Sequence, residues 1–263
     1  MAETGYLWAD HGDRDERHRL DLLEARNDPA TIAHLECIGV RPGWWCWEVG
    51  AGGGSITRWL CDRVGPTGYV LATDIDTRFV DRLDEPNLLT RRHDIVADEP
   101  PKVGFDLAHA RLVLTGLPGA QSRALSNMLA ALAPGGWLLI EEVSILPDGA
   151  STHPAWGEVE STWKRLPNTD FDWARTLPSA LTALGLRDVQ CKSWVDVFQG
   201  ATAAAQLHRT TFESIRPQLL AAGLPEQRLD EALQATQDPA NWLLGPLWFA
   251  AWGRLEERPE CAP

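Results

Sequence analysis

The stretch WWCWEVGAGGGS, residues 44–55, decides the fold. Its first half is an apolar run that ends on Glu48, and its second half is a turn with glycine at positions 50, 52, 53 and 54. The apolar run predicts a buried strand. Glycine permits positive φ and lets a ligand approach the backbone closely, and the first N–H groups of a following helix have no partner inside that helix. The stretch therefore predicts a strand, a cradle for a small polar ligand, and a helix that begins near Ser55.

The spacing of the glycines separates two classes of cofactor. A dinucleotide site needs the pattern G-x-G-x-x-G, which seats a pyrophosphate on the helix N-terminus. Counted from Gly50 the sixth position is Ser55, and counted from Gly52 it is Thr57, so the third dinucleotide glycine is missing. A carboxylate at Glu48 would repel a pyrophosphate and attract a ligand that carries an amino group.

Four later segments follow the glycine turn in a fixed order. An apolar run ends on Asp74, at about the distance expected for a ribose-binding acid after one helix, and a third strand candidate leads to Asp94. A fourth strand candidate covers 105–111, and an L-x-P-G-G turn at 132–136 precedes a fifth. Together with the glycine turn, these segments resemble the class I S-adenosylmethionine-dependent methyltransferases of the small-molecule, specialised-metabolite type. The resemblance covers roughly residues 30–145.

The resemblance implies S-adenosylmethionine as the cofactor and assigns its contacts. It implies that Asp74 accepts the ribose hydroxyls, that Asp94 accepts the adenine amino group, and that carbonyls of the fourth strand receive the methionine ammonium. Asp76 competes with Asp74 for the ribose role, but we expect it to cap a helix over residues 77–83. The residues assigned to the cofactor are Glu48, Gly50, Ala51, Gly52, Gly54, Asp74, Ile75, Asp94, Ile95 and Ala110.

Strands and helices alternate from residue 44 onward, which predicts an α/β fold with helices on both faces of a parallel sheet. With the resemblance, we expect a doubly wound, seven-stranded, mostly parallel sheet with an N-terminal helical lid and helical cap insertions. The lid is predicted as one helix over 13–26, and a second helix is predicted to begin at Pro29. The expected segments are the lid 1–28, the core 29–147, a cap insertion 148–178, core 179–200, a helical insertion 201–241 with two helices, the last strand 242–256, and a tail 257–263.

Three residues near the strand ends are candidates for catalysis. His109 and Arg111 end the fourth strand, where alternation places both on one face, and histidine is the commonest base for a hydroxyl acceptor. Glu142 follows the fifth strand. The alternative is structural: His109 would bond only to neighbouring backbone, and Arg111 would pair with Asp106 or Glu142.

The acceptor pocket is expected in the insertions, because many of the thirteen tryptophans lie there and aromatic side chains suit an apolar or aromatic ligand. The alternative is that most tryptophans are core, as expected for Trp248 and Trp252. His208 is expected to be a solvated or capping residue. The pocket candidates are His153, Trp156, Trp163 and Trp173, and Tyr6 and Arg19 are expected to reach the methionine carboxylate from the lid.

Composition narrows the class of partner. The net charge of −13 argues against a nucleic-acid partner, since such binding rests on a basic surface. Five cysteines without metal spacing indicate reduced thiols in a cytoplasm and no metal site. No signal peptide or membrane-spanning stretch is visible, so we expect a small-molecule partner, with a homodimer left open.

The sequence therefore predicts a methyltransferase acting on a small, fairly apolar or aromatic metabolite, with transfer to oxygen favoured and transfer to nitrogen or carbon left open. One alternative keeps S-adenosylmethionine and catalyses a cyclisation or rearrangement. Another is a noncatalytic binding protein or an NAD(P) oxidoreductase on a similar sheet.

Overall fold

The computed structural model describes residues 12–256 as a seven-stranded sheet with helices on both faces. The strand order is β3-β2-β1-β4-β5-β7-β6. Strands β1 to β5 are parallel, and β7 runs antiparallel between β5 and β6. The predicted fold class is confirmed. The strands are β1 Trp45–Val49, β2 Tyr69–Asp74, β3 Leu88–Arg92, β4 Phe105–Arg111, β5 Leu132–Ser144, β6 Arg187–Gln199 and β7 Trp242–Arg254.

Eight α-helices and four short 3-10 helices connect the strands of the described chain. The α-helices are α1 Asp13–Ile38, α2 Ser55–Val64, α3 Gln121–Ala130, α4 Pro154–Trp163, α5 Leu177–Ala183, α6 Ala203–Ser214, α7 Arg216–Ala221 and α8 Glu226–Ala235. The 3-10 helices cover Gly65–Thr67, Val80–Arg82, Leu114–Gly116 and Trp173–Thr176.

Helix α1 is one continuous helix of 26 residues, so the prediction of two helices was wrong. Pro29 lies inside it and cannot donate a backbone hydrogen bond, which usually breaks a helix. Here side chains on both sides of the proline are fixed to the rest of the protein. Arg26 pairs with Asp196 before it, and Thr31 bonds to Glu141 after it. These contacts hold both halves of α1 in line.

Two other predicted helices differ from the structure. Instead of a helix over 77–83, the chain forms a single 3-10 turn, Val80–Arg82, and Asp76 accepts a bond from the Arg78 N–H at 3.2 Å as part of a local turn. The helical insertion holds three helices, not two. The chain leaves α6 at Ile215 because Pro217 starts a new helix in its first turn.

Three groups of buried apolar residues stabilise the structure. One covers the face of the sheet that holds α3 and α5, and includes Trp47, Phe105 and Met128. A second lies under α1 and α2 and includes Leu35 and Leu60. The third belongs to the cap formed by α4 and α6–α8. Since fully burying one such side chain contributes about 1.5–3 kcal/mol, the cap has a substantial core of its own.

Strands β6 and β7 position the cap. Each is 13 residues long, longer than the predicted runs 189–198 and 247–252. The first residues of β7 pair with the end of β6, from Val197–Leu244 to Gln199–Trp242. These pairs lie beyond Leu247, which is opposite the last residue of β5. The cap therefore lies beyond the carboxyl ends of the parallel strands, where ligands bind in sheets of this kind.

Candidate cofactor and acceptor site

The glycine turn follows β1 directly and has the backbone that its sequence predicts. Gly50, Gly52 and Gly54 have φ values of 70°, 54° and 88°, a region that favours glycine. A Cβ added to Gly50 would lie 2.3 Å from Cγ2 of Val113. The turn is therefore both conformationally and sterically restricted to glycine at position 50.

Asp74 lies beside this turn at the end of β2. Its Oδ2 accepts a hydrogen bond from the Gly52 N–H at 2.9 Å, and its Oδ1 accepts one from the Asp76 N–H at 3.0 Å. Burial raises the pKa of the Asp74 carboxyl, while these backbone hydrogen bonds oppose the rise. The structure thus brings together the two main elements of the predicted cofactor site.

The structure gives less direct support for the residues that are predicted to contact the adenine ring. Asp94 follows β3, and its Oδ1 accepts bonds from the Val96 and Ala97 N–H groups at 2.8 and 3.1 Å. Ile75 is half-buried and Ile95 is buried beside the same edge of the sheet. Asp94 therefore closes a local turn in this structure, and its role toward adenine stays a prediction.

Glu48 points to His109 on the neighbouring strand. Its Oε2 lies 2.8 Å from Nδ1 of His109, and Nε2 of the same ring lies 3.2 Å from Oε2 of Glu141. Each ring nitrogen thus faces a carboxylate, which an imidazolium satisfies by donating from both. Burial lowers the pKa of His109, but the Glu48 charge and the hydrogen bonds to both carboxylates outweigh it and raise the pKa to about 9.

This geometry does not support the predicted role of His109 as a base, because a fully buried imidazolium has no nitrogen free to accept a proton. Nor does its ring bond to neighbouring backbone, as the structural alternative proposed. Glu141 also receives bonds from Thr31 at 2.6 Å and faces Nδ1 of His34 at 2.7 Å. Burial raises the pKa of Glu141, but the bonds from His109, His34 and Thr31 hold it well below its usual range.

Arg111 lies on the same face as His109, as alternation predicts, but its partners differ from those expected. It donates to Asp28 at 2.9 Å and to Thr31 at 2.8 Å, both on α1. Asp106 instead accepts from the Trp45 N–H at 2.8 Å. In this structure Arg111 therefore attaches α1 to the end of β4.

Glu142 is fully buried and its carboxylate is occupied by the loop after β4. Oε1 accepts from the N–H groups of Val113 and Leu114 at 2.9 and 2.6 Å, and Oε2 accepts from Thr115. Burial raises the pKa of Glu142 to about 7, against the effect of these hydrogen bonds. The geometry fits a residue that shapes the loop, in which Leu112 has a φ of 58°, rather than one that contacts an acceptor.

The first half of α1 covers the glycine turn. Arg17 Nη1 donates to the Gly53 carbonyl at 3.0 Å and Nη2 bonds to Glu24 at 2.6 Å. Leu20 lies 3.5 Å from where a Cβ on Gly52 would be. Arg19, predicted to reach the cofactor, instead forms a buried pair with Glu16 at 2.7 and 2.8 Å. Tyr6 lies outside the described residues.

The four residues of the insertion that were predicted to line a pocket do not line a common pocket. His153 caps α4 by accepting from the Trp156 N–H at 3.3 Å, and Trp173 packs on the core of the sheet. Trp156 is fully buried with its indole N–H on the Leu244 carbonyl at 2.7 Å, and Trp163 packs edge-on against Phe171 with ring centroids 4.7 Å apart.

The aromatic residues of α4 are therefore part of the cap core, as the alternative interpretation held. The apolar face of α4 has α6 and α8 to pack against, so it buries its own rings. Trp248 and Trp252 are buried too. His208, expected to be solvated or capping, is only 9% exposed. The sequence carried a signal for this, because Ala205, His208, Thr211 and Phe212 follow helical spacing on α6.

No helix between residues 12 and 256 is long and apolar enough to cross a membrane. Within the same range, no group of three or more His, Cys, Asp or Glu side chains is arranged to hold a metal ion.

Residues 47–138 match the model of a methyltransferase domain family. This match confirms the resemblance of residues 47–138 to a methyltransferase domain, and the seven-stranded sheet has the class I methyltransferase fold.

Curated relatives align with the same region. The ubiquinone/menaquinone biosynthesis C-methyltransferase UbiE of Ectopseudomonas mendocina (strain ymp) is 33% identical over 118 residues, which cover 42% of this chain and 46% of that protein. Methyltransferase str2 of Strobilurus tenacellus is 34% identical over 99 residues, 36% of this chain and 34% of that protein. The chain thus spans less than half the length of these relatives.

Solved structures share the fold over most of the chain. The YcgJ protein of Bacillus subtilis matches with a TM-score of 0.58 at 14% identity, covering 88% of this chain and 100% of that one. Phosphoethanolamine N-methyltransferase 2 of Haemonchus contortus, solved with S-adenosylhomocysteine, matches at 0.58 and 15%, covering 88% and 53%. The [4+2]-cyclase SpnF matches at 0.51 and 17%, covering 88% and 81%. Identities this low show the fold alone.

Proposed function

We propose that this protein is an S-adenosylmethionine-dependent methyltransferase that acts on a small metabolite, with oxygen as the favoured acceptor atom. The observation that carries the proposal is the hydrogen bond of 2.9 Å between the Gly52 N–H and Asp74 Oδ2. It joins a glycine cradle to a half-buried carboxylate at the carboxyl ends of two adjacent parallel strands. The methyltransferase domain match over residues 47–138 and the relative solved with the demethylated cofactor support it.

The residues present fit this cofactor chemically. Gly50 and Gly52 leave backbone open where a ligand could approach. Asp74 offers a carboxylate to ribose hydroxyls, and hydrogen bonds to a charged acceptor contribute about 1.5–3 kcal/mol each. A cofactor with a sulfonium and an ammonium carries net positive charge, which suits the Asp74 carboxylate beside the glycine turn.

When bound, the cofactor supplies a methyl group on a positively charged sulfur. The protein's task is then to hold an acceptor in line with that methyl and to exclude water. Helix α1 covers the glycine turn through Arg17 and Leu20, and Glu142 fixes the loop after β4 through the Val113 and Leu114 N–H groups. Both features would help the protein to hold the acceptor in place and to exclude water.

The amino-acid composition supports two further features, a small-molecule acceptor and a location in a reducing compartment. The net charge of −13 favours a small-molecule acceptor over nucleic acid, and the cysteine pattern favours a reducing cytoplasm. We extend the proposal to an apolar or aromatic acceptor of specialised metabolism.

Calorimetric titration with S-adenosylmethionine and S-adenosylhomocysteine tests the proposal. We expect the wild-type protein to bind both and Asp74→Ala to bind each roughly ten- to a hundredfold more weakly, as loss of charged hydrogen bonds predicts. Asp76→Ala is the matched control, because Asp76 pairs with Arg78 at 2.8 Å and faces a local turn. Failure of the wild type to bind either compound, or binding of NADH instead, would overturn the proposal.

The reaction itself needs a separate measurement, because the fold is shared with a cyclase. Methyl transfer produces one S-adenosylhomocysteine for each product molecule. Conversion of an acceptor without that product would favour cyclisation or rearrangement on the same cofactor site.

A further inference from the structure

An open cleft of about 420 Å³ lies where the start of α1 meets the 3-10 turn Val80–Arg82. Most of the side chains that line it carry, or can carry, a positive charge. The lining residues are Arg14, Arg17, His18, Asp21 and Arg82, and the four from α1 are spaced so that they share one face of the helix. The cleft is therefore a basic site on a chain whose net charge is −13.

The ring of Phe79 gathers three arginines beside this cleft. Phe79 is buried, and the guanidinium carbons of Arg17, Arg78 and Arg82 lie 5.7, 5.0 and 5.4 Å from its ring centroid. Each contact is favourable by itself, because the face of an aromatic ring attracts a cation. Three cations around one ring also repel one another, and a bound anion would relieve that repulsion.

The single carboxylate that lines the cleft is already engaged. Arg17 pairs with Asp21 at 2.5 Å, and it also pairs with Glu24 at 2.6 Å. Arg14 is exposed and makes no hydrogen bond or ion pair with the side chains that the structure describes. Arg14 thus brings a positive charge into the cleft that no described carboxylate offsets.

The arrangement of the arginines indicates which anion fits. Arg14 and Arg17 line the cleft from α1 and Arg82 lines it from the 3-10 turn, so a ligand that contacts all three needs several acceptor atoms. A phosphate group has three such oxygens and carries a charge of about −1.5 to −2 near neutral pH. Each guanidinium has five N–H donors, so an arginine can bind a phosphate and keep the contacts that it already makes. The planar donor groups of arginine also match phosphate geometry.

The cleft adjoins the glycine turn. Arg17 donates to the Gly53 carbonyl at 3.0 Å. Leu83, which directly follows Arg82, has its Cδ1 2.7 Å from where a Cβ on Gly54 would lie. Both walls of the cleft therefore contact the end of the glycine turn, and an anion bound between them would join α1 to the turn that follows β2.

We infer that this cleft binds a phosphate group, free or as part of a larger ligand, and that the bound phosphate holds α1 against the glycine turn. Arg14 and Arg17 bind the phosphate from α1, and Arg82 binds it from the 3-10 turn. The inference goes beyond the proposed methyltransferase function and does not depend on it, because the cleft lies beside the cofactor cradle and can bind phosphate when no cofactor is present.

Calorimetric titration of the cofactor-free protein with inorganic phosphate tests the inference. We expect the wild type to bind phosphate, and Arg14→Gln and Arg82→Gln to bind it about tenfold more weakly, because each loses charge-assisted hydrogen bonds. Arg123→Gln is the matched control: Arg123 is also exposed, lies on α3 and loses the same charge, so it should bind like the wild type. No binding by the wild type, or an equal loss in the control, would overturn the inference.

Hydrogen exchange tests the effect on α1. Phosphate should slow the exchange of amides in residues 13–28 of the wild type and leave Arg14→Gln unchanged. An equal response of the two proteins, or none in the wild type, would contradict the inference that phosphate holds α1 in place.

Two further titrations separate the cleft from the cofactor site and identify the source of the phosphate. Loss of phosphate binding in the presence of saturating S-adenosylhomocysteine would assign the cleft to the cofactor and overturn the inference, whereas failure to bind S-adenosylhomocysteine counts only against the proposed function. Phenyl phosphate replaces inorganic phosphate in the second titration. Tighter binding of phenyl phosphate supports a site for a larger phosphorylated ligand, and equal or weaker binding supports a site for free phosphate.

Discussion

His109 Nδ1 lies 2.8 Å from Glu48 Oε2, so the acid that precedes the glycine turn is bound to the neighbouring strand from within the sheet. The other ring nitrogen faces Glu141 at 3.2 Å, and Glu141 accepts from Thr31 of α1. One imidazolium thus connects the strand before the cofactor turn, two further strands and, through Glu141, the lid helix. Its charge compensates two carboxylates that are almost fully buried.

Replacing His109 with leucine should therefore destabilise the fold strongly. Glu48 and Glu141 would stay buried without their shared cation, and breaking a buried ion pair in this way costs about 3–5 kcal/mol. Urea unfolding measures the change. His93→Leu is the control, because His93 is equally buried but its Nε2 faces the Glu99 carbonyl at 3.1 Å, not a carboxylate. If His109→Leu lowers the free energy of unfolding no more than the control does, the network contributes little to stability.

The network of Glu48, His109 and Glu141 also shows which features of the site can be predicted from the sequence and which cannot. The glycine turn and Asp74 were predictable, because each lies at a fixed distance along the chain from a strand end. The pairing of Glu48 with His109 depends on the register of β1 against β4, which residues 61 positions apart do not reveal locally. The burial of Trp156 and His208 likewise depends on how α4 and α6 pack in the cap. The continuous α1 depends on contacts that are distant in sequence.

Substitution of Gly50 should be far more damaging to cofactor binding than that of another glycine with a positive φ. Gly50 and Gly65 have φ values of 70° and 65°, in a region that alanine rarely adopts. Only at Gly50 would the new Cβ also clash, at 2.3 Å from Val113, whereas nothing lies within 4 Å at Gly65.

We expect Gly50→Ala to lose S-adenosylmethionine binding and about 1–3 kcal/mol more stability than Gly65→Ala. Calorimetry and thermal unfolding of the two variants measure these effects. Equal cofactor affinity in both would show that the turn at Gly50 does not border the ligand.

The contact between α1 and the glycine turn should control how firmly the lid helix is held. A Cβ on Gly53 would lie 2.0 Å from Oε1 of Glu24 and 2.4 Å from Nη1 of Arg17. Gly53→Ala should therefore push the Arg17 and Glu24 side chains away from the turn, and Arg17→Ala should loosen the first half of α1 by removing the bond to the Gly53 carbonyl.

Hydrogen exchange measures this directly. We expect faster exchange of amides in residues 13–28 in both variants, with residues 31–38 protected as in the wild type because Thr31 and His34 remain bound to Glu141. Unchanged exchange in Gly53→Ala would mean that α1 does not depend on this contact.

Glu160 should make the stability of the cap fall as the pH rises from about 4.5 to about 8. This residue is 5% exposed on α4, and burial raises the pKa of its carboxyl from 4.5 to about 8. The folded protein therefore holds a proton that the unfolded chain releases. The stability from this proton is fully present below pH 4.5 and is lost as the pH rises through about 8.

Thermal unfolding between pH 5 and 9 compares the wild type with Glu160→Gln, which keeps the shape of a neutral carboxyl and cannot ionise. The pKa of His109 is also raised, to about 9. Loss of its proton destabilises both proteins equally as the pH rises. The difference between them therefore isolates Glu160. We expect the variant to lose less stability over this range, by a few kcal/mol. Parallel curves would show that Glu160 is already ionised in the folded cap.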